Sequence, residues 1–330
     1  MLTGYLSLQS GEKIEVAGNE SILDAALRND LVLEYSCRNG QCGVCKTQVT
    51  SGDTYIIHEE FSLTAEEKSS GLVLSCCRGI AGDVSLNAEN LTELKNIKKI
   101  TGPCKIDSLV SHGDDVIEVV LITPPSSVIQ FLPGQYIDIT GPNGVRRSYS
   151  IANAPMEKGQ IRLFVKKVDG GVFSEYWFNS AKVSDLLRFE GPFGTFFLPK
   201  NNKKHLVLLA TGTGIAPIQA ILESLVKDPA QNTFESIRLF WGGRYKTDLF
   251  LPMDFEIYNY IFVPVLSRAE SVKGVDFGYV QSAVLNREIP LDDSVVLACG
   301  SQTMISSARE ILVNNGLPKS AFKSDAFVSS

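Results

Sequence analysis

The sequence predicts a multidomain protein of the α+β and α/β classes, because its 330 residues change in character twice along the chain. A chain of this length is expected to form two or three compact units, and a hydrophobic content of 44% is sufficient for their cores. Short β-rich runs fill the middle of the chain, whereas strands alternate with helices in its last third. We therefore expect a mixed unit over 1–90, a linker over 91–103, an antiparallel β-barrel over 104–200 and a parallel α/β domain over 201–330.

The first unit is predicted to begin with a β-hairpin and a helix. The runs LTGYLSLQ and KIEVAG are separated by a Ser-Gly turn, as in a hairpin. In SILDAALRND, Ser21 and Asp24 have the spacing of a capping box, and the apolar side chains recur on one helical face. The lysine-rich segment LTELKNIKKITGP ends in Gly-Pro and is therefore predicted to be the linker.

The two later segments differ in the way their strands are connected. The runs DVIEVVLIT, QYIDIT, RSYSIA and IRLFVKKV follow one another at the short intervals of an antiparallel barrel, with one helix expected at SEYWFNSA. From residue 205 onward, the strands HLVLLA, SIRLFW, YIFVPVLS and VVLACG alternate with helices expected at 217–228, near 279–286 and at 302–314. This alternation is typical of a parallel sheet.

The net charge of −6 comes from the N-terminal unit. Residues 1–90 contain 6 Lys+Arg against 13 Asp+Glu, and residues 91–330 contain 25 against 24. Such a distribution argues against nucleic-acid binding and favours docking to a partner with a basic patch, although an acidic surface can also serve solubility alone. The sequence shows neither a run of about 18 apolar residues nor a signal-peptide pattern, so we expect a monomeric, cytoplasmic protein with no membrane contact.

A cysteine-rich loop, CRNGQCGVCK, is the strongest chemical signal in the chain. Cys37, Cys42 and Cys45 have the spacing C-x4-C-x2-C, which is the plant-type pattern for a [2Fe-2S] cluster. Structural zinc sites are usually built from two short C-x2-C knuckles, so zinc is the weaker alternative. Gly40 and Gly43 suit a loop that must approach a small cluster closely, so that its N–H groups can point at sulfur.

The fourth ligand is predicted in the segment LSCC, where Cys76 and Cys77 compete. Consecutive side chains in an extended segment face opposite ways, so only one of the two can ligate. The whole first segment resembles plant-type ferredoxins, in which the ligand follows a Leu-Thr or Leu-Ser pair. The resemblance implies a β-grasp fold and selects Cys76.

The run RRSYSIA places a cation, an aromatic ring and small hydroxyls on one strand. Such a combination suits a flavin, which needs a charge for its phosphates, a flat face and a polar group beside its ring nitrogen. Arg147 and Tyr149 should face one side of the strand and Ser150 the other, unless the flavin lies along the strand edge. The segment GGVFS adds a glycine turn before a helix, with Ser174 expected at the cap, which suits a pyrophosphate.

Together with PGQY and EGPFGTF, these motifs resemble the flavin domains of ferredoxin-NADP reductase-like proteins. The resemblance implies a Greek-key barrel that binds FAD. It assigns cofactor contacts to Arg147, Ser148, Tyr149, Ser150, Ile151, Gly170, Gly171, Val172 and Ser174.

The segment HLVLLATGTGIAPIQAILESLV reads as a strand, a glycine turn and a helix that begins near Pro217. Backbone amides at such a turn can approach a dinucleotide pyrophosphate, although a third Rossmann glycine is missing. The run G-T-G-I-A-P resembles the nicotinamide domain of the same reductase family. The resemblance implies dinucleotide contacts at Thr211, Gly212, Thr213, Gly214 and Pro217.

The same family places a Cys-Gly pair after a late strand and an acidic residue followed by an aromatic near the C-terminus. Here these are Cys299, Gly300, Asp325 and Phe327, and Phe327 is expected to cover the flavin. Ser150, Cys299, Asp325 and Phe327 are thereby implied in catalysis. Cys299 could instead be a small core residue and Phe327 a tail anchor. Arg268 in LSRAE and Arg244 are candidates for a 2′-phosphate site, but neither lies in a basic cluster, so NADH is expected rather than NADPH.

The domain order resembles reductases that join a plant-type ferredoxin to a ferredoxin-NADP reductase-like core. Within that family, LDAAL, EYSC, LSCC, RRSYSIANAP and SDAFV most resemble the branch that reduces a pyridoxamine-phosphate dehydrase in 3,6-dideoxyhexose biosynthesis for bacterial surface polysaccharide. The resemblance implies electron flow from NADH through FAD and the cluster to that dehydrase. The alternative is service to an aromatic or alkane oxygenase component.

Overall fold

In the computed structural model, the chain forms two compact units, one extending to Ile97 and the other spanning Lys98–Phe327. Residues 4–142, 144–156, 159–268 and 273–327 are described. The division falls inside the predicted linker, which is shorter than expected. A 3₁₀ turn occupies Thr92–Leu94, and the first barrel strand already begins at Ile100.

The first unit is a mixed sheet with a short helix packed against it. In chain order its elements are β1 (Gly4–Leu8), β2 (Lys13–Val16), α1 (Ile22–Arg28), β3 (Lys46–Ser51), β4 (Thr54–Ile56), α2 (Ala65–Ser69), β5 (Leu72–Leu74), β6 (Arg78–Ile80) and β7 (Val84–Asn87). The main sheet has the order β2-β1-β7-β3-β5, and β4 pairs with β6. The predicted hairpin is confirmed as β1–β2, although Leu2 and Thr3 of its first run lie outside the described residues.

Helix α1 forms where its capping residues predict it. The Ser21 hydroxyl accepts a hydrogen bond from the Asp24 N–H at 3.0 Å, and Ile22, Ala25 and Ala26 are buried. At the same end, the Leu23 N–H donates to the Ser75 carbonyl at 2.9 Å. The helix therefore supports the segment that carries the two adjacent cysteines.

The second unit opens with a six-stranded antiparallel barrel. Its elements are β8 (Ile100–His112), β9 (Val116–Ile122), β10 (Tyr136–Thr140), β11 (Arg146–Ser150), β12 (Gln160–Lys166), α3 (Val172–Glu175) and β13 (Leu186–Phe193). The strand order is β11-β10-β13-β8-β9-β12, and a bridge between Ile151 and Leu163 joins its two ends. The helix expected at SEYWFNSA begins earlier, as α3, and continues as a π-helix over Tyr176–Ser180.

A parallel six-stranded sheet completes the second unit. Its elements are β14 (His205–Thr211), α4 (Ile215–Lys227), β15 (Ser236–Gly243), β16 (Tyr260–Leu266), β17 (Asp276–Phe277), α5 (Val280–Leu285), β18 (Ser294–Ser301), α6 (Gln302–Asn314) and β19 (Phe322–Phe327). The order is β17-β16-β15-β14-β18-β19, as expected for an α/β domain. The three predicted helices are confirmed as α4, α5 and α6.

The barrel and the parallel sheet share one hydrophobic core. Ala152 and Phe164 from the barrel pack in the same cluster as Ile218 and Trp241 from the α/β domain. Glu223 of α4 also accepts hydrogen bonds from the Ala154 N–H at 3.0 Å and from Arg162 Nη1 at 2.9 Å. The helix after the glycine turn is thereby fixed to the chain segment that follows β11. The longest helices described, α4 and α6, have 13 residues each, and none is long and apolar enough to cross a bilayer.

Candidate functional site

The four predicted cysteine ligands come together as two pairs. In the first pair, the backbone N–H of each cysteine donates to the sulfur atom of the other. The distance is 3.3 Å from Cys42 N to Cys37 Sγ and 3.5 Å from Cys37 N to Cys42 Sγ. Cys45 Sγ and Cys76 Sγ are 3.3 Å apart. Two sulfur pairs are what a two-iron cluster requires, since each iron takes two protein thiolates.

Hydrogen bonds within the cage stabilise thiolate character at Cys37 and at Cys76. The Cys42 thiol donates a hydrogen bond that lowers the pKa of Cys37 to about 6, and backbone N–H groups of Asn39 and Gln41 act in the same direction. A hydrogen bond from Cys45 lowers the pKa of Cys76 as well, helped by the N–H of Gly40. Amides aimed at sulfur are the outer-shell contacts that a cluster needs.

Glycine at position 40 is required by space and by backbone angle. Its φ is +78°, and a Cβ there would lie 2.3 Å from the Glu59 carbonyl oxygen and 2.9 Å from Cys77 Sγ. Gly43 also has a positive φ, of +73°. The backbone angle therefore favours glycine at both positions, and residue 40 also has no room for a Cβ.

Cys76 and Cys77 differ in what their sulfur atoms contact. Cys76 Sγ reaches Cys45, whereas Cys77 Sγ lies 3.5 Å from Cys76 Sγ and 3.5 Å from the Glu59 carbonyl. Burial raises the pKa of Cys77 to about 12, with the neighbouring Cys76 as the second cause. This geometry agrees with the choice of Cys76 as fourth ligand.

The donor set fits a [2Fe-2S] cluster better than a single zinc ion. Within the described ranges, no group of three or more His, Cys, Asp or Glu side chains is arranged to hold one metal ion. A tetrahedral zinc site needs all four donors around one point. The paired sulfurs, the glycines and the amides meet the needs of a two-iron cluster instead.

On β11, two adjacent arginines have opposite surroundings. Arg146 pairs with Asp138 at 2.6 Å and with Glu190 at 2.7 Å. Arg147 makes no ion pair with any described carboxylate, and its Nη1 donates to the Arg146 carbonyl at 2.8 Å. Of these two arginines, Arg147 is therefore the one whose guanidinium no described carboxylate pairs with, and its contact with a flavin phosphate stays a prediction.

Tyr149 is held in one orientation by a tryptophan. Trp177 Nε1 donates to the Tyr149 hydroxyl at 2.9 Å, and the Tyr149 ring centroid lies 6.0 Å from that of Phe173. Burial raises the pKa of the Tyr149 phenol, so the group stays protonated at neutral pH. A fixed, neutral ring suits a flat cofactor face.

Ser148 and Ser150 do not share the face of Arg147 and Tyr149, whereas Ile151 lies in the core cluster against which Tyr149 packs. The Ser148 hydroxyl donates to Asp138, the Ser150 side chain is buried, and Ile151 belongs to the barrel core. However, β11 ends the sheet order and pairs with β10, so its outer edge is open up to the bridge at Ile151. A ligand lying along this edge can touch side chains from both faces.

The glycine turn before α3 differs from the prediction in its cap. Gly171 is the N-cap, and the prediction that Ser174 is the cap is wrong, since Ser174 lies inside the helix. The Ser174 hydroxyl instead accepts the Val168 N–H at 2.9 Å and closes the turn that contains Gly170. A cleft of about 540 Å³ adjoins this turn and is lined by Gly141, Pro142, Val145, Gly170, Val172, Phe173, Glu175, Tyr176, Asn179 and Ser180.

The predicted nicotinamide turn meets the Cys-Gly pair at the carboxyl ends of two neighbouring strands. Thr211 ends β14, and Gly212–Gly214 form a 3₁₀ turn that includes Thr213. A Cβ on Gly214 would lie 2.3 Å from the Cys299 carbonyl oxygen, and a Cβ on Gly300 would lie 2.1 Å from Thr211 Oγ1. The two turns therefore pack backbone to backbone, as at other dinucleotide crevices.

Pro217 lies two residues inside α4 rather than at its start. The helix begins at Ile215, so Pro217 is its third residue. The first four N–H groups of a helix have no intrahelical acceptor, so proline costs no hydrogen bond there.

Cys299, Asp325 and Phe327 lie on the adjacent strands β18 and β19. Cys299 pairs with Asp325 in register, and Ser301 pairs with Phe327. Cys299 is fully buried in the core, and burial, with Asp325 as a further cause, raises the pKa of its thiol well above the usual value. Phe327 is 38% exposed at the end of β19.

The candidate phosphate-binding arginines lie at the ends of β15 and β16. The Arg268 N–H donates to the Arg244 carbonyl at 3.0 Å, and both side chains are exposed. Ala269 and Glu270 of the LSRAE segment lie outside the described residues.

Three supporting residues were not assigned a role from the sequence. Trp177 fixes Tyr149, and Trp241 Nε1 donates to the Gly212 carbonyl at 3.1 Å. Asp138 holds Arg146 and Ser148. Both tryptophans are buried, and the partners of their N–H groups depend on which elements meet in the fold, so the local sequence does not reveal them.

Three family models match consecutive parts of the chain. They are a 2Fe-2S iron-sulfur cluster binding domain over residues 7–79, an oxidoreductase FAD-binding domain over 103–198 and an oxidoreductase NAD-binding domain over 208–310. The chain is 42% identical to the CDP-6-deoxy-L-threo-D-glycero-4-hexulose-3-dehydrase reductase of Yersinia pestis, over 95% of this chain and 94% of that protein. The chain belongs to this family of reductases.

Two more distant relatives support the same architecture. Reductase component 1 of the terephthalate 1,2-dioxygenase of a Comamonas species is 31% identical over 95% of this chain and 94% of its own length. The crystal structure of the cytochrome P450 reductase GcoB of Amycolatopsis is 25% identical, with a TM-score of 0.75 and 99% of each chain covered. As a member of the dehydrase reductase family, the chain is an NAD(P)H-dependent oxidoreductase with [2Fe-2S], FAD and nicotinamide dinucleotide as cofactors.

Proposed function

We propose that this chain takes reducing equivalents from NADH and delivers them one electron at a time to a pyridoxamine-phosphate dehydrase that acts on a CDP-linked 6-deoxyhexulose. The identity of 42% to a dehydrase reductase, against 31% to a dioxygenase reductase component, is the observation that carries this proposal. The product would be an intermediate of 3,6-dideoxyhexose biosynthesis. Delivery to an oxygenase component is the alternative.

The chemistry of electron splitting requires both cofactors. When bound, FAD accepts a hydride and releases electrons singly, and the cluster carries one electron at a time. In this chain, Cys37, Cys42, Cys45 and Cys76 would hold the cluster, and no step needs a further organic substrate pocket.

The residues of the barrel would bind and orient FAD. Arg147 would pair with its phosphates, because its guanidinium has no competing described carboxylate. Tyr149 would offer its ring as a stacking face, and Ser150 would place a hydroxyl at the edge of β11. The amides around Gly170 and Gly171 would serve the pyrophosphate.

The residues of the parallel sheet would bind the dinucleotide. The Thr211–Gly214 turn would receive its pyrophosphate at the start of α4. Cys299 and Asp325 would border the nicotinamide position, and Cys299 would stay a protonated thiol there because burial raises its pKa. Phe327 would cover the flavin until nicotinamide displaces it.

NADH is the proposed electron source. Arg244 and Arg268 lie at the strand ends where a 2′-phosphate would lie, but neither belongs to a cluster of basic residues that such a phosphate would require. A steady-state comparison tests this directly: kcat/KM with NADH should exceed that with NADPH by at least tenfold. Equal values would contradict the NADH proposal and leave the rest of the function standing.

Reconstitution with a partner enzyme distinguishes electron delivery to a dehydrase from electron delivery to an oxygenase component. The purified chain is mixed with NADH, a pyridoxamine-phosphate dehydrase and CDP-4-keto-6-deoxyglucose. We expect deoxygenation at C-3, and chromatography of the nucleotide sugar detects the product. A parallel reaction replaces the dehydrase with a terephthalate dioxygenase component and its substrate. Turnover with the oxygenase and none with the dehydrase would overturn the proposal.

A further inference from the structure

A buried ion pair lies beside the cysteine cage, where neither the spacing of the cysteines nor the family motifs point to it. The Glu60 side chain has no solvent exposure, and its Oε2 lies 2.7 Å from Arg78 Nη2. The Arg78 side chain is only 16% exposed, so both charges are largely removed from water. Burying two charges costs desolvation free energy, so a buried ion pair is weak evidence for stability. Such pairs are better documented as determinants of conformational specificity.

The Glu60 carboxylate also binds the backbone of the segment that carries Cys76. Its Oε1 accepts the Leu74 N–H at 2.8 Å, so one carboxylate spans from Leu74 to Arg78. Cys76 and Cys77 lie between these two contacts. The carboxylate thereby fixes both ends of the five-residue turn that presents the predicted fourth ligand.

The chain around Glu60 links this turn to the loop with the other cysteines. The Ile57 N–H donates to the Cys77 carbonyl at 2.8 Å, and the Ser62 N–H donates to the Gly40 carbonyl at 3.2 Å. Residues 57–62 therefore contact both parts of the cage, and the buried Glu60 side chain belongs to this segment.

We propose that Glu60 and Arg78 are positioning residues for the cluster, and that their opposite charges shift its reduction potential in opposite directions, so that the intact pair leaves the potential nearly unchanged; this rests on the proposed function only in that the cage holds [2Fe-2S]. Reduction adds one negative charge to the cluster, and charges nearby in a medium of low dielectric constant act strongly on that step. A cation stabilises the reduced form and an anion destabilises it. In the intact pair these two effects oppose each other.

The test uses the full-length holoprotein and three variants: Glu60→Gln, Arg78→Met and the double variant. At the wild-type midpoint potential, the ratio of reduced to oxidised cluster should rise at least threefold in E60Q, because Arg78 is then unopposed. It should fall at least threefold in R78M and return to within twofold of wild type in the double variant. A threefold change corresponds to about 28 mV, from 59 mV per tenfold for one electron.

Potentials are read from the cluster's absorbance and its low-temperature EPR signal during a redox titration, and the flavin potential is followed in the same samples. Glu67→Gln is the matched control, since Glu67 pairs with Lys46 next to Cys45 but both side chains are about 30% exposed. The E67Q ratio should stay within twofold of wild type, because solvent screens that pair.

Shifts in the same direction in both single variants, or none in either, would overturn the proposal. If E60Q fails to retain iron, R78M and the double variant still decide: a wild-type potential in R78M overturns it. Absence of any cluster signal in the wild-type protein would contradict the proposed function instead, so the two failures are distinguishable.

Discussion

The two neighbouring arginines of β11 show how strand alternation separates a structural charge from an available one. Arg146 faces Asp138 and Glu190, whereas Arg147 faces the side of Tyr149 without a described carboxylate partner. Removing the guanidinium of Arg147 should therefore weaken ligand binding. Removing that of Arg146 should only break its ion pairs with Asp138 and Glu190.

Arg147→Gln is expected to weaken FAD binding by about ten- to one-hundredfold, since a hydrogen bond to a charged group is worth about 1.5–3 kcal/mol. The measurement is the dissociation constant of FAD, from fluorescence titration of deflavinated protein. Arg146→Gln is the control and should change that constant by less than about threefold, because exposed ion pairs contribute little. Equal losses in both variants would contradict the assignment of Arg147.

The neighbouring thiols Cys76 and Cys77 provide a second test at single residues. Cys76→Ser should abolish most of the visible absorbance beyond 400 nm and the iron content, because it removes one of the four sulfur ligands. Cys77→Ser should retain iron at close to the wild-type stoichiometry, since Cys77 Sγ lies beside Cys76 and the Glu59 carbonyl. If the two outcomes are reversed, Cys77 is the ligand.

The sequence predicts site residues best where chemistry and local spacing coincide. Cys37, Cys42 and Cys45 could be found from spacing alone, because one short loop holds all three. Glu60 and Arg78 could not, since a buried ion pair depends on two segments meeting, and each residue alone reads as an ordinary surface charge. Ser174 was misplaced by three residues because a glycine can cap a helix without any side-chain signal.

At the level of elements, the missed strands have specific physical causes. β8 alternates buried and exposed side chains along most of its length, but Gly102 and Pro103 gave it the composition of a turn. A Cβ at residue 102 would lie 3.2 Å from side-chain atoms of Phe189 and Ser127, so glycine relieves a tight contact there. The sequence does not predict β19 as a strand, since SDAF has little β-propensity and becomes a strand by pairing with β18.

The contact between the two glycine turns gives a prediction for the α/β domain. In Gly214→Ala, the added Cβ would meet the Cys299 backbone at 2.3 Å, so the turn must shift away from β18. We expect kcat/KM for NADH to fall at least tenfold, while dithionite still reduces flavin and cluster fully. Stopped-flow spectroscopy follows the reduction of the flavin by NADH, and the absorbance after dithionite addition gives the extent to which flavin and cluster can be reduced.

Gly316→Ala is the control for this substitution. Gly316 follows α6 with φ of +105° and has open space around it, so alanine adds backbone strain without a clash. It should lower the free energy of unfolding by about 1 kcal/mol and leave the NADH parameters unchanged. Wild-type NADH kinetics in the G214A variant would show that the turn does not contact the dinucleotide.

At the level of the whole molecule, the units differ in charge as well as in fold. The acidic balance of 6 Lys+Arg against 13 Asp+Glu lies in residues 1–90, within the unit that carries the cysteine cage. The flavin and nicotinamide domains form the other unit, which is close to neutral. Electrons would therefore leave the protein from its acidic part, while hydride would enter at the neutral part.

This separation predicts different salt responses for the two half-reactions. Steering between an acidic unit and a basic partner surface is screened over about 8–10 Å at physiological ionic strength. Raising NaCl from 50 to 300 mM should slow cluster-to-dehydrase electron transfer by about tenfold at limiting partner concentration. Reduction of the flavin by NADH, measured in the same stopped-flow instrument, should change by less than about twofold. A partner rate that does not depend on salt would contradict electrostatic docking through the N-terminal unit, because attraction between exposed opposite charges cannot survive such screening unchanged.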